Sequence, residues 1–449
     1  MLSSLISRFS IIATMLISFS ASAFAQEPDM HSDEYYKWTE LKSVELSKGV
    51  IYSHYSWDNI PRNMHVLEID LTRRNIKVLP VVANDIIPNP NGNKNKLNGF
   101  CIRETLSGIC SRYNEQGQNI VAGINACGFD SHLGYARGII VSEGEPIYQN
   151  YPMIRQKYGH AHKWCFAVFK DGTAAVGQKE FKGLIKIGKE EIEYHAINDY
   201  ILRGDDVGSP VNIYTSRYKE IPHEGHALVN PLLDSAVVYV VAEYKQESMK
   251  VNCGYSKAKV VGIYDGRATP LAKAPYLHSS NQVGIQLRGE AADKVIEALK
   301  VGDMIALRAD MIIEGVRKPI VAMVNTLNRF LHEGVDTSSE NLKPNDSNLT
   351  THNPMTFVTI SKDGRKIWLV EVDGRSKESR GMKSVEMAQT SLRLGGYEMV
   401  RFDGGGSSAM WVRDCGGLVS VPSDKNGERS CLNYILICCH PERSEGSPQ

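Results

Sequence analysis

Neither sign of charge dominates this 449-residue chain: lysine and arginine total 51, aspartate and glutamate total 51. A balanced chain lacks the electrostatic footprint of a general nucleic-acid binder, and no basic block supplies one locally. Long apolar runs are scarce as well. Beyond residue 25 no segment is apolar enough to span a bilayer, which takes ~20 residues. There is no pair of CxxC motifs, so a structural zinc site of that kind is excluded. No internal repeat is found. What is present is ordinary globular usage, 42% hydrophobic and 23% charged, enough to bury a large core and exclude disorder as the default. The length sets a prior of two to three domains at ~150 residues each.

The first 25 residues read as an export signal, with an uncleaved anchor as the alternative. Arg8 supplies the positive charge, Phe9 to Phe24 is apolar, hydroxyl-bearing or small, and Ala23-Phe24-Ala25 gives the cleavage pattern. No cysteine follows that site, which argues against a lipid anchor. The expected mature protein starts near Gln26, outside the cytoplasm, secreted or periplasmic, with no membrane span after cleavage. Its nine cysteines are an odd number, so an oxidising compartment would still leave one thiol unpaired within the chain. Cys101 with Cys110, and Cys415 with Cys431, are spaced to close local loops; the sequence leaves their pairing open.

Residues 26–60 read as a polar leader, 61–438 as one main unit with room for an N-terminal strand-rich subdomain, and 439–449 as a tail. Within the main unit, His65–Leu71 alternates apolar and polar side chains and residues 75–82 repeat the habit. Residues 84–99 are rich in Asn, Pro, Gly and Lys, a loop. Ile120 to Ile124 forms a buried strand running into Asn125, and 138–141 another. Ala292, Val295, Ile296 and Leu299 recur at helical spacing; Ile305, Leu307, Ala309, Met311 and Ile313 recur with period two. Residues 335–353 are polar and long for a connection, which suggests a mobile loop or lid; they contain N-x-S/T sequons at Asn345 and Asn348. Lys366–Val372 is a strand ending at Asp373-Gly374-Arg375. Ser384 is placed to cap a helix with Val385, Ala388 and Leu392 on its apolar face, stopped by Gly395-Gly396. Many short strands and few helices predict an α+β fold, a mixed and mostly antiparallel sheet with a few helices packed on it.

Three consecutive glycines stand in the turn Asp403-Gly404-Gly405-Gly406-Ser407-Ser408 between two strands. Each glycine costs ~0.5–1 kcal/mol relative to alanine, and a hairpin needs positive φ at only one or two positions. The surplus predicts a backbone that must approach a ligand closely. Glycine amides and two hydroxyls form a concavity suited to an anion such as phosphate, with the Asp403 carboxylate beside it. A plain glycine-rich hairpin, with Asp403 as turn initiator, is the bland reading. A P-loop is excluded, because Ser407 stands where Lys is required and a strand follows. The serine-hydrolase elbow is disfavoured because Ala409-Met410-Trp411-Val412 does not look helical.

Together, Asp373-Gly374-Arg375, Gly381-Met382, the helix from Ser384 and the Phe402–Ser408 turn resemble the phosphodiester glycosidase family. Pro422-Ser423, Arg429 and Asn433 follow in the family's order. Upstream, Asn125 with Phe129-Asp130 and Gly138 resembles a further segment, and Asn198 and Tyr214-Thr215 match weaker marks. The resemblance runs from about Val66 to Ile437. It departs from the family at Pro354-Met355-Thr356, where Met355 replaces an expected arginine. It departs again at Val324-Asn325, where a Gly-Gly pair is expected, and at Gly128, where an aromatic residue is common.

The resemblance implies hydrolysis of a sugar-1-phosphodiester to free sugar and a phosphomonoester. The substrate would be a small saccharide phosphodiester or a glycan-phosphate polymer, without cofactor or metal. A sugar 1-phosphate is a fair leaving group, so the site chiefly has to bind the diester anion and stabilise its developing charge. Arg375 offers a planar fork to phosphate oxygens. Gly404, Gly405, Gly406, Ser407 and Ser408 offer donors. Asp403, ahead of Asp373, is the candidate nucleophile or base. Asn125, Asp130, Thr215, Arg429 and Asn433 are the remaining candidate substrate contacts. A turn with a surface ion pair is the bland reading of Asp373-Gly374-Arg375. Two other readings compete: a non-catalytic carbohydrate- or phosphate-binding protein of the same fold, suggested by Met355, and a metallohydrolase built on His160-Ala161-His162 with Cys165.

Overall fold

The computed structural model describes residues 29–30, 32–89, 103–129, 136–150, 164–199, 211–220, 237–268, 277, 279–340 and 350–440. Strands dominate them. An eight-stranded sheet runs 38–47, 50–57, 63–70, 366–372, 355–360, 398–401, 329–332 and 335–336 in spatial order, and a five-stranded sheet runs 417–418, 410–412, 120–125, 433–439 and 76–82. A third, twelve-stranded sheet is built mainly from residues 140–325. Among the described residues every named strand pair is antiparallel except 196–197 with 212–213 and 218–220 with 87–89. Three α-helices accompany them, Leu106–Glu115, Glu290–Ala298 and Ser384–Arg393. The antiparallel expectation holds, while α+β overstates the helices.

Central strands carry apolar residues on both faces, because both faces are covered. Met355–Ile360 and Ile120–Asn125 are buried at every position. Leu67, Leu369, Val358, Val400 and Phe402 meet Ile124, Met410 and Ile435 in one core, so the eight- and five-stranded sheets face each other. Phe402 is fully buried and packs edge-on against Phe166 at 6.3 Å; truncating such a ring costs ~3–5 kcal/mol. Its position decides where the glycine turn lies, since the chain leaves the eight-stranded sheet at Arg401 and joins the five-stranded sheet at Met410.

The stretch 26–60 is not simply a polar leader. It contains the strands Trp38–Ser47 and Val50–Trp57, a hairpin at the sheet margin. The first of these is an edge strand exposed along most of its length, so it carries the charges of Glu40, Lys42 and Glu45 and no buried face that would impose alternation. Residues 84–99 include a short strand, Ile87–Asn89, paired with Tyr218–Glu220; residues 90–102 lie outside the described residues. Residues 335–353 open with the strand Val335–Asp336; 341–349, with both sequons, lie outside, as do the export signal and residues 441–449.

Ser384 is the first residue of its helix, not the cap. Lys383 holds the cap position, and the Glu386 carboxylate accepts its N–H. Glu386 is fixed by a buried ion pair with Arg62 at 2.7 Å and by the Tyr35 hydroxyl. Burial pushes the Glu386 carboxyl up, but His352, Arg62 and Tyr35 outweigh it and hold it at about 2. Arg62 also donates to the Gly381 carbonyl at 2.8 Å, tying this helix entry to the Gly381-Met382 motif.

The disulfide expectation is not met among the described residues. Cys110, Cys127, Cys165, Cys253, Cys415, Cys431, Cys438 and Cys439 are all thiols, six of them buried in packed apolar surroundings. Cys101 lies outside the described residues.

Candidate active site

The glycine turn is stitched to two other segments by its backbone. Phe402 N–H donates to Thr356 O at 2.8 Å, Asp403 N–H to Ala126 O at 3.0 Å, and Gly405 N–H to Pro354 O at 2.9 Å. Gly404 N–H donates to the Asp403 carboxylate at 3.2 Å. The expectation of a row of bare amides is therefore corrected: those of Gly404 and Gly405 are engaged within the protein. Gly405 does adopt φ +65°, and residues 405–407 make one 3₁₀ turn before the next strand. Close approach is the reason for Gly406. A Cβ there would lie 2.2 Å from both the Arg429 guanidinium and the Asp424 carboxylate.

Arg375 comes to this turn from the other motif. A Cβ on Gly405 would stand 3.1 Å from a terminal nitrogen of the Arg375 guanidinium. Arg375 itself has φ +63°, is exposed, and donates to Asn353 Oδ1 at 3.1 Å. Its fork thus faces solvent beside the glycines, where an anion can reach it. Gly381 supports the same corner from below with φ +93°; a Cβ there would strike the Asn353 carbonyl at 2.4 Å.

Asp403 is half-buried between cations. Burial raises its carboxyl above the ordinary range, against the opposing hydrogen bond from Ser407 and the charges of Arg401 and Arg429. A Cβ on Gly128 would be 3.9 Å from the carboxylate, so the residue that departs from the family leaves room in front of it. Arg429 is held by Asp424 through bonds of 2.6 and 2.8 Å and donates to Ser407 Oγ at 3.3 Å.

Asn125, at the end of its strand, is a brace. Its amide donates to Asp403 O at 2.8 Å, and its Oδ1 accepts from Thr356 Oγ1 at 2.8 Å and Ala409 N–H at 3.0 Å. With these contacts and 1% exposure, it positions the turn and is not placed for sugar hydroxyls. Asn433 differs. It is equally buried, yet apart from the neighbouring Cys127 thiol its Oδ1 and Nδ2 have no hydrogen-bond partner, and neither does Ser408 Oγ. Orphaned buried polar atoms are costly, ~1–3 kcal/mol each, and at a site they are what a bound ligand would satisfy.

Asp373 shares the corner without opening onto it. It is buried at 2% exposure; Oδ1 accepts from Val421 N–H at 2.6 Å and Oδ2 lies 3.5 Å from His65 Nε2. Thr215 pairs with Asn198, whose amide donates to its hydroxyl at 2.8 Å and to Ile147 O at 2.7 Å. Asp130 and His160-Ala161-His162 lie outside the described residues, and Cys165 is buried with its thiol donating to Gly177 O at 3.3 Å.

Several neighbours escaped the sequence reading. Arg401 ends its strand two residues before Asp403, and that period-two spacing was the available signal. Asp424 and Asn353 carried none, since each acts across a gap in sequence. Met355, at the departure from the family, is buried with its sulfur 3.4 Å from where a Gly404 Cβ would be. An arginine at that position would start from the same place beside the turn.

Comparison with curated proteins gives no match. A hypothetical protein from Synechocystis superposes with a TM-score of 0.57 at 16% identity, covering 89% of this chain and 64% of that one. The chain thus spans less than two thirds of that protein's length. A Burkholderia pseudomallei protein superposes at 0.54 and 19% identity, covering 84% and 74%. The zebrafish N-acetylglucosamine-1-phosphodiester alpha-N-acetylglucosaminidase catalytic domain, auto-inhibited by its pro-peptide, gives 0.39 at 14% identity, covering 90% and 83%. At these identities the first two are likenesses of fold. Among the described residues no helix is long and apolar enough to cross a membrane. The family model for phosphodiester glycosidases matches residues 277–438, a shorter span than the motifs suggested and one that leaves Asn125, Asn198 and Thr215 outside. Within it lie both Asp373-Gly374-Arg375 and the Asp403–Ser408 turn, and the resemblance to the phosphodiester glycosidase family is borne out there.

Proposed function

We propose that this chain is an exported hydrolase that cleaves a sugar-1-phosphodiester to free sugar and a phosphomonoester. One observation carries the reading: an exposed arginine fork lies against the glycine turn that presents Asp403. Arg375 binds the diester anion and stabilises the charge that develops on the leaving phosphate. Asp403 supplies the carboxylate that attacks the anomeric carbon or activates water. Asp403 is preferred over Asp373 because the latter is enclosed and held by Val421 N–H. Ser408 Oγ and Asn433, poorly satisfied within the protein, hydrogen-bond the bound substrate. Arg429, anchored by Asp424, fixes Ser407 and through it Asp403.

Met355 favours a second reading, a non-catalytic protein that binds the same ligand class, since one cation expected at the turn is absent. Steady-state release of sugar from a panel of sugar-1-phosphodiesters separates the two. An enzyme turns over repeatedly and loses this with Asp403→Asn; a binding protein retains ligand without release.

A further inference from the structure

Behind the Asp373-Gly374-Arg375 turn, three titratable side chains converge from strands far apart in sequence. His65 lies on 63–70, Glu371 is its direct cross-strand partner on 366–372, and Asp373 follows two residues later. Their nearest ligand atoms lie within 4.8 Å of one another, and the three residues are 3%, 1% and 2% exposed. Two buried carboxylates side by side are unfavourable without a counter-charge. Burial and the neighbouring Asp373 both push the Glu371 carboxyl well up. Glu371 Oε2 and His65 Nε2 have no hydrogen-bond partner.

We infer that His65 Nε2, Glu371 Oε2 and Asp373 Oδ2 form a buried divalent-cation site beneath the arginine turn. The surroundings are arranged as ligands require. The Tyr52 hydroxyl bonds His65 Nδ1 at 2.9 Å, which suits a ring that keeps its proton on Nδ1 and presents the Nε2 lone pair. His54 stacks on the same imidazole at 4.5 Å and fixes its plane. Val421 N–H holds Asp373 Oδ1 at 2.6 Å and leaves Oδ2 to the ion. The 3.5 Å between His65 Nε2 and Asp373 Oδ2 matches two ligands on one ion, which at ~2.1 Å from a metal stand ~3.4 Å apart. One imidazole and two carboxylates suit Mn²⁺ or Zn²⁺ better than a thiolate-seeking metal. A bound ion offsets both carboxylates. The ion would join 63–70 to the end of 366–372 and to Asp373, two residues before Arg375. No sequence motif marks the site, because His65 is remote in sequence from Glu371 and Asp373.

The test is direct and does not depend on glycosidase activity. The purified chain is stripped with EDTA and titrated with Mn²⁺, following free Mn²⁺ by electron paramagnetic resonance and unfolding by calorimetry. Zn²⁺ is run in parallel, with the cysteines as its known competitors. One equivalent of tightly bound Mn²⁺ and a melting temperature raised by several degrees are expected. Glu371→Gln keeps the shape and removes one ligand charge. It should melt at or above the metal-free wild type yet bind Mn²⁺ at least tenfold more weakly. A wild type that binds no Mn²⁺ overturns the proposal, leaving a proton-sharing cluster. Equal binding by wild type and Glu371→Gln overturns it too, since the ion then sits elsewhere.

Discussion

The Arg375 guanidinium lies against Gly405: one of its terminal nitrogens is 3.1 Å from where a Gly405 side chain would begin. Two motifs separated by almost thirty residues meet at that contact. Gly405→Ala tests it twice. The new methyl would sit at φ +65°, costing ~1–2 kcal/mol in a left-handed conformation, and would push the fork aside. Thermal unfolding should show a drop of a few degrees, and KM for the diester should rise at least tenfold.

Arg375→Ala should separate binding from folding. The side chain is exposed and donates a hydrogen bond to Asn353, so stability should change by no more than ~0.5 kcal/mol. Loss of the planar fork should raise KM ten- to a hundredfold. Lysine should recover only part of this, because a point charge cannot bind two phosphate oxygens at once. Steady-state kinetics on the three proteins reads the outcome.

The contacts of Asn125 with Asp403 O, Thr356 and Ala409 predict that it acts by positioning Asp403. Asn125→Ala leaves the Ala409 N–H and the Thr356 hydroxyl without their acceptor, a cost of ~1–3 kcal/mol for each unsatisfied buried group. A structural loss alone would lower melting temperature and leave the pH profile unchanged. A positioning role predicts, in addition, a lower kcat with little change in KM and a displaced acidic limb.

The pH dependence follows from Asp403. Burial raises its carboxyl above the usual 3.8, so the folded state binds this proton more tightly than the unfolded state does. Between those two values the native state holds more protons, and stability contributed by this group falls as pH rises through the window. The charged form needed for catalysis is thus the destabilising one. Asp403→Asn should raise the melting temperature at neutral pH while removing activity. The acid limb of wild-type kcat/KM should lie above the ~4 typical of an exposed carboxylate.

Legibility in the sequence followed the range of the interactions. Residues 63–70, 120–125, 304–313 and 366–372 were readable because burial imposes alternation or continuous apolarity on a strand. The glycine turn was readable because its close approach to Arg429 and Asp424 excludes any Cβ. Trp38–Ser47 was not, since an exposed edge strand needs no alternation. The glycine turn ranked Asp403 ahead of Asp373, but the enclosure of Asp373 by Val421 N–H and His65, both distant in sequence, was not legible. The engagement of the Gly404 and Gly405 amides was equally hidden: a run of glycines announces space for backbone, not which partner takes each hydrogen bond.

The central assignment meets its most direct test in sugar release. Purified protein is incubated with sugar-1-phosphodiesters that differ in sugar and aglycone, alongside Asp403→Asn, and free sugar and phosphomonoester are quantified together. Equimolar formation of the two products over many turnovers is expected with at least one diester, with a loss of at least a thousandfold in the variant. Equal rates for the two proteins, or no release from any diester, would contradict it.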